Sequence, residues 1–182
     1  MGYQHNRDDM LAAAVRLVTE HGLSSLTYKR LADRLAIPDR TVVYYFPTKN
    51  DLVAAVLEIF GDRLEELLAT ALGHDPLAPA ELLDRAWRAL QTDEADAACR
   101  VYLQVVGEAA ARRPPYATTA RVISDRWTDW FTRLLAGPAA TRRERAAALV
   151  AQLDGLLLLR HVAGAKPAQT AARGFGLDVA GS

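Results

Sequence analysis

The side chains with the most evident chemistry lie close together near the N-terminus, between Thr27 and Lys49. This stretch holds five Lys and Arg residues against two Asp residues, with hydroxyl and aromatic side chains among them. Cations and hydroxyls of this kind bind phosphate oxygens, and an arginine can also pair with two acceptor atoms of a guanine. Side chains of these types are therefore suited to bind a negatively charged molecule whose surface has grooves. The side chains concerned are Lys29, Arg40, Thr41, Tyr44, Tyr45 and Lys49.

Two short helices joined by a tight turn must position these side chains. Thr27 is a good N-cap for the first, and the apolar spacing extends this helix to about residue 36. Pro38 disfavours helical geometry at the residue before it, so the turn falls there. The second helix, over 39–45, would be held inward by Val42 and Phe46. The pattern predicts a helix-turn-helix, whose second helix enters the major groove of DNA.

The same residues also fit a plainer interpretation, an ordinary helical hairpin with a solvated charged face. The whole chain has a formal net charge of zero, so it is not a polycation. The first 50 residues carry seven Lys and Arg against five Asp and Glu, and the remainder carries fifteen against seventeen. A local basic patch on a neutral protein permits nucleic-acid binding and does not prove it.

The remainder of the chain is also predicted to be helical. Hydrophobic residues make up 51% and charged residues 24% of the 182 residues, which allows a sizeable core. Ala and Leu are abundant and β-branched residues are scattered, which favours an all-α fold of about nine helices. Helices are expected over 8–21, 48–72, 79–91, 93–113, 116–136 and 141–163, before a weakly patterned tail over 166–182.

The sequence offers no support for an enzyme. The four His residues are dispersed, and HExxH, GxGxxG, GxSxG and phosphate-loop motifs are absent. Cys99 is the only cysteine, which excludes an intrachain disulfide or a Cys-based zinc site and fits a reducing compartment. We therefore expect no metal and no cofactor. The most apolar run, over 153–159, is too short to span a bilayer, so we expect a cytoplasmic protein without a membrane partner.

The stretch LTYKRLADRLAIPDRTVVYYFPTKNDLVAAV resembles the N-terminal domain of TetR-type transcriptional regulators. The resemblance rests on a Thr-capped helix, a Thr followed by paired aromatics and Phe, and a Lys-x-x-Leu that opens the next helix. It covers about residues 8–57. It implies that Thr27, Tyr44 and Lys49 contact phosphates, and that Lys29, Thr41, Val43 and Tyr45 lie at or near base edges.

Four positions depart from the pattern of that family. Ala36 stands where Gly is frequent, Pro38 where a small polar cap is usual, and Arg40 where Gly or Ala is common. Val43 replaces a frequent aromatic residue; it packs against a thymine methyl group but makes no hydrogen bond. These changes bear on the base sequence that is read and not on the mode of docking.

The resemblance further implies a helical body that dimerises and holds a small, mostly apolar effector. The helices over 116–136 and 141–163 would pair with their twofold mates, placing two recognition helices ~34 Å apart. In the alternative interpretation, the second of these helices is simply the core of a monomer. The candidate interface residues are Trp130, Leu134, Leu149, Leu153, Leu156, Leu157 and Arg160. The candidate pocket residues are Trp87, Cys99, Tyr102, Gln104 and Trp127.

These features together predict a ligand-responsive transcriptional regulator, of the repressor type, which binds a palindromic operator in double-stranded DNA as a homodimer. Its parts would be a helix-turn-helix domain over 1–47, a linker helix over 48–72, and a ligand-binding and dimerisation domain over 73–165. The alternative is a helical small-molecule-binding or scaffolding protein that has lost DNA binding.

Overall fold

The computed structural model describes residues 6–177, and these residues form nine α-helices. The all-α prediction is confirmed for them, and their one extended pairing is a parallel bridge between Leu77 and Leu135. The predicted tail contains a final helix, while residues 178–182 lie outside the described range. The helices are α1 (Arg7–His21), α2 (Tyr28–Leu35), α3 (Asp39–Tyr45), α4 (Lys49–Leu72), α5 (Pro79–Leu90), α6 (Asp93–Ala110), α7 (Tyr116–Leu134), α8 (Ala139–Ala163) and α9 (Ala165–Gly174).

Local capping signals set the N-terminal helices. The Asn6 side chain accepts a hydrogen bond from the Asp9 backbone N–H at 2.8 Å, and the Asp9 carboxylate accepts one from the Asn6 N–H at 3.2 Å. Thr27 Oγ1 accepts a hydrogen bond from the Arg30 N–H at 3.2 Å and so begins α2. Each cap satisfies a backbone donor that the helix leaves unpaired. The predicted bounds of α2 and α3 are confirmed to within a residue because these signals are local.

Helix α4 links the N-terminal helices to the rest of the chain. Thr48 and Asp51 form a capping box at its start, with the Thr48 N–H 2.9 Å from Asp51 Oδ2. The helix packs against α1 on one side and against α5 and α6 on the other. A movement of α4 that the body causes would therefore also move the N-terminal helices that pack against it.

Helix α7 ends at Leu134, two residues before the sequence predicts. The Leu77 N–H donates to the Leu134 carbonyl at 2.8 Å, and the Ala136 N–H donates to the Leu77 carbonyl at 2.8 Å. This pairing holds residues 135 and 136 in an extended conformation. A bond between segments so far apart in sequence leaves no trace in local periodicity.

Helix α8 is, within residues 6–177, the one helix long and apolar enough by length and composition to cross a membrane. Its 25 residues extend well beyond the run over 153–159. The shortness of that run therefore does not by itself exclude a membrane-spanning helix. In its most apolar 18-residue window, 33% of the residues are buried against the protein. Length and composition do not separate a membrane span from a helix that packs on a partner.

Candidate nucleic-acid interface

Helix α3 is held by two apolar side chains and presents the others outward. Val42 is 0% exposed and Phe46 is 1% exposed, as the sequence predicts. On the opposite face, Tyr44 is 79% exposed and Val43 is 40% exposed. An exposed aromatic ring beside an exposed apolar side chain on a short, rigid helix offers π-faces and methyl groups to base edges.

The remaining α3 candidates are placed less uniformly. Arg40 is exposed in the first turn, whereas Thr41 and Tyr45 are half-buried. The ring of Tyr45 lies 5.1 Å from that of Tyr44 in an edge-to-face arrangement, so it supports the exposed ring. The structure thus brings Arg40, Val43 and Tyr44 to the outer surface, with Thr41 and Tyr45 at its margin.

The edges of this surface carry helix N-termini and cations. Thr27 caps α2, and the exposed Lys29 lies in its first turn, 3.5 Å from the Asp33 carboxylate. Lys49 is exposed at the first position of α4. Free N–H groups and the helix dipole favour an anion at each such terminus. The N-termini of α2 and α4 come before and after α3 in the chain, so they are suited to bind phosphates on the two sides of a groove.

Two contacts that make this unit rigid were not predicted from the sequence. The Tyr28 hydroxyl donates to the Phe46 carbonyl at 2.8 Å, tying α2 to the end of α3. Arg34 of α2 makes two hydrogen bonds of 2.7 Å with the Glu20 carboxylate of α1. Glu20 and Arg34 are 14 residues apart in the sequence, so only the three-dimensional placement of α1 against α2 reveals this contact.

The body contains a small apolar cavity. Two of the five candidate pocket residues line it. Tyr102 and Trp127 line the cavity together with Asp154, at the junction of α4, α6, α7 and α8. Its volume is about 40 Å³, well below the ~300–1,000 Å³ of a drug-sized ligand site, so a ligand would have to widen it.

The other three pocket candidates lie outside the lining of this cavity. Trp87 is 1% exposed and Cys99 is 0% exposed, and both are core side chains outside the cavity lining. Burial raises the pKa of the Cys99 thiol to about 12, which removes thiolate chemistry at neutral pH. Gln104 lies on the outside of α6, where its side-chain oxygen accepts a hydrogen bond from the Leu23 N–H at 2.6 Å. It joins the body to the N-terminal helices and does not line this apolar cavity.

Most of the candidate interface residues lie inside the protomer. Five of the seven are buried and present little surface to a second copy. Four of these five lie on α8, which is apolar on both faces, so the sequence alone does not show which face turns inward. Trp130 is half-buried, and Arg160 donates to the Gln91 carbonyl at 3.1 Å. The exposed large side chains of α8 are Leu158, Leu159 and Val162. The buried candidates are Leu134, Leu149, Leu153, Leu156 and Leu157.

Comparison with known proteins assigns the family. The family model described as bacterial regulatory proteins of the tetR family matches residues 10–56, which contain the surface just described. A relative from Burkholderia thailandensis, the HTH-type transcriptional regulator BetI, is 30% identical over 168 residues, or 87% of this chain and 83% of that protein. The chain belongs to the TetR family. It is therefore a DNA-binding regulator of transcription with a helix-turn-helix, in a family that is not enzymatic.

Two solved structures share the whole fold of this chain. The multidrug binding protein EbrR complexed with proflavin is 26% identical, with a TM-score of 0.69 over 93% of this chain and 97% of that one. A regulator from Saccharomonospora viridis in complex with choline is 21% identical, with a TM-score of 0.67 over 92% and 91% of the two chains. The second likeness shows the fold alone.

The turn of this TetR-family protein contains a strained residue. Ala36 ends α2 with φ of 53° and ψ of 43°, a left-handed conformation that costs a residue with a Cβ atom ~1 kcal/mol or more relative to glycine. We expect Ala36→Gly to raise the free energy of unfolding by about 0.5–1 kcal/mol, since glycine removes the strain but adds freedom to the unfolded chain. Urea denaturation measures the change. A loss of stability would show that the Ala36 methyl group makes contacts worth more than the strain.

Proposed function

We propose that this protein is a ligand-responsive repressor, which binds a palindromic operator as a homodimer and is released by a small, mostly apolar effector. The observation that carries the proposal is α3, whose Val43 and Tyr44 project outward while Val42 and Phe46 are buried beneath them. The DNA-contacting residues would be the eight candidates between Thr27 and Lys49. A regulator of this kind acts where bacterial DNA lies, in the cytoplasm.

The exposed face of α8 supports the homodimer. Leu158, Leu159 and Val162 expose 52%, 38% and 77% of their surfaces, and the small residues Gly155 and Ala151 are exposed about one and two turns earlier. Exposed apolar surface of this kind marks an interaction site. Small residues allow a second helix to approach closely, so a twofold copy of α8 is the partner that we propose. Two copies of α3 would then read successive major grooves, ~34 Å apart.

The route from effector to DNA would pass through α4. Leu64 and Leu68 of this helix line the cavity, so a ligand that widens it must push on α4. Arg126 of α7 contacts both Asp62 and Glu65 of the same helix, which couples α7 to the motion. Because Lys49 lies at the N-terminal end of α4 and α1 packs against the same helix, the two DNA-binding units would change their separation. A coupling of ~1–3 kcal/mol would alter DNA affinity about 5- to 150-fold.

Domain limits follow from this route. We propose a DNA-binding domain over 1–47, a linker over 48–72, and a ligand-binding and dimerisation domain over 73–165 to which α9 adds a final helix. The proflavin complex of EbrR supports a small-molecule effector for this chain.

The operator is the decisive test of the proposal. Purified protein would be used to select genomic fragments, and affinity for the selected sequence would be measured at several salt concentrations. A repressor of this type selects a palindrome, and its affinity falls linearly with salt on a log–log plot because bound cations leave the phosphates. Selection of sequences without twofold symmetry would contradict the palindromic operator.

Replacement of Tyr44 tests the docking surface itself. We expect Tyr44→Ala to weaken binding to the selected operator by roughly 1 kcal/mol or more, because it deletes the most exposed side chain of α3 and no core contact. Fluorescence anisotropy of labelled operator measures the affinity, and Phe175→Ala provides a matched aromatic control at an exposed site outside the N-terminal helices. Equal operator affinity for Tyr44→Ala and wild type would contradict the proposed docking mode.

A further inference from the structure

We propose that the body cavity binds a monovalent organic cation with an apolar body, whose charge is paired with the Asp154 carboxylate and whose apolar part lies against aromatic rings. The inference rests on the proposed function, because it assigns the chemical class of the effector. It depends on residues of α6, α7 and α8 and on none in the DNA-binding surface.

Asp154 is a carboxylate in an apolar site. It lies on α8 and lines the cavity beside Val150, Leu153 and Leu157. Its two carboxylate oxygens lie 3.0 and 3.1 Å from the hydroxyl oxygen of Tyr102, and both accept from that hydroxyl. Within residues 6–177, this hydroxyl is the one donor found for the Asp154 side chain. None of the ion pairs found in that range includes Asp154. Other aspartates of the body, by contrast, are paired with arginine side chains.

This arrangement leaves a half-buried carboxylate without a cationic partner among the ion pairs of residues 6–177. Burial raises the pKa of Asp154 while the Tyr102 hydroxyl lowers it, and burial next to Asp154 raises the pKa of Tyr102 so that the phenol stays neutral. One phenolic proton satisfies only part of the acceptor capacity of a carboxylate. A ligand cation supplies the missing charge, while an anionic ligand would be repelled.

The rings around Asp154 suit the body of such a cation. Trp127 and Phe131 line the same cavity, and their centroids lie 6.1 Å apart with the planes tilted by 58°. Tilted faces present π-surface from two directions, and a cation over such faces is attracted by the ring quadrupoles. The rest of the lining is aliphatic, which favours an organic cation over a hydrated metal ion.

The test compares charged and neutral ligands of one shape on the full-length protein. The probes are proflavin and choline, which are cations at neutral pH, and 3,3-dimethylbutan-1-ol, a neutral isostere of choline. Calorimetry measures binding to wild type, to Asp154→Asn, and to Glu144→Gln as a control that removes an exposed carboxylate from the same helix. Asparagine keeps the shape of Asp154 and an acceptor for Tyr102, so the variant retains its fold; thermal unfolding checks this.

We expect at least one cation to bind wild type and Glu144→Gln alike, and to bind Asp154→Asn about tenfold more weakly or worse, because a desolvated charge pair is lost. The neutral isostere should bind weakly, and equally to all three proteins. Tyr102→Phe keeps the ring and should cost less than Asp154→Asn. The inference is overturned if neither cation binds, or if Asp154→Asn binds both as wild type does, in which case the Tyr102–Asp154 bond only ties α6 to α8. Operator binding by wild type is measured separately, so either result leaves the proposed DNA-binding function to its own test.

Discussion

Replacement of Phe46 by alanine is expected to destabilise the N-terminal helices by about 3–5 kcal/mol and to abolish operator binding. Phe46 is 1% exposed and closes the core beneath α3. Its carbonyl accepts the hydrogen bond from Tyr28, and the guanidinium of Arg7 lies 5.3 Å from its ring centroid. A cavity at this site would therefore loosen α1, α2 and the end of α3 together, and α3 would lose the rigid position that groove binding requires.

The measurement separates this effect from a general loss of fold. Hydrogen exchange would report the stability of the N-terminal helices and of the body independently, and anisotropy would report operator affinity. Phe175→Ala makes the same chemical change at a side chain that is 46% exposed and should shift stability by about 0.5 kcal/mol or less. A Phe46→Ala protein that binds operator as well as wild type would refute the assignment of Phe46 as the support of α3.

The helix-turn-helix was predictable because its signals are local. Thr27 and Thr48 cap helices through residues three positions away, and Pro38 limits α2 through its immediate neighbour. Val42 and Phe46 are spaced so that both fall on one face of a short helix. Each of these effects acts within a turn of helix, so the sequence alone predicts the elements to within a residue.

The body was predicted less well because its important contacts are long-range. Tyr102 and Asp154 are 52 residues apart, so nothing local indicates that their side chains meet. Cys99 and Trp87 attracted attention by their chemistry, yet burial depends on how α5 and α6 pack. Gln104 is another example, since its partner Leu23 is 81 residues distant.

Helix α8 shows why an apolar sequence does not define an interface. A helix with apolar residues around most of its circumference has no preferred inward face on hydrophobic grounds alone. In the structure Leu156 and Leu157 turn inward while Leu158 and Leu159 turn outward, so neighbours in one leucine run have opposite environments. Packing against α5, α6, α7 and α9 decides between them.

The double variant Leu158→Glu, Val162→Glu is expected to produce a monomer and to weaken operator binding by about a hundredfold or more, because avidity between two half-sites is lost. The two side chains are 52% and 77% exposed and lie one helical turn apart on the same face of α8. Charges at the centre of an apolar twofold interface would face their own copies, which adds like-charge repulsion to the cost of desolvation. Because both side chains are exposed in the protomer, the fold of each chain should be preserved.

Sedimentation velocity would give the oligomeric state, and anisotropy would give affinities for the full palindrome and for a single half-site. The control is Val106→Glu, which places the same charge on an exposed valine of α6 and should leave both measurements unchanged. The monomer should bind a half-site with the weak affinity that one copy of α3 supplies, since its N-terminal helices are intact. A double variant that remains dimeric would place the interface elsewhere, and a monomer that binds the palindrome at full affinity would show that the two copies of α3 do not act together.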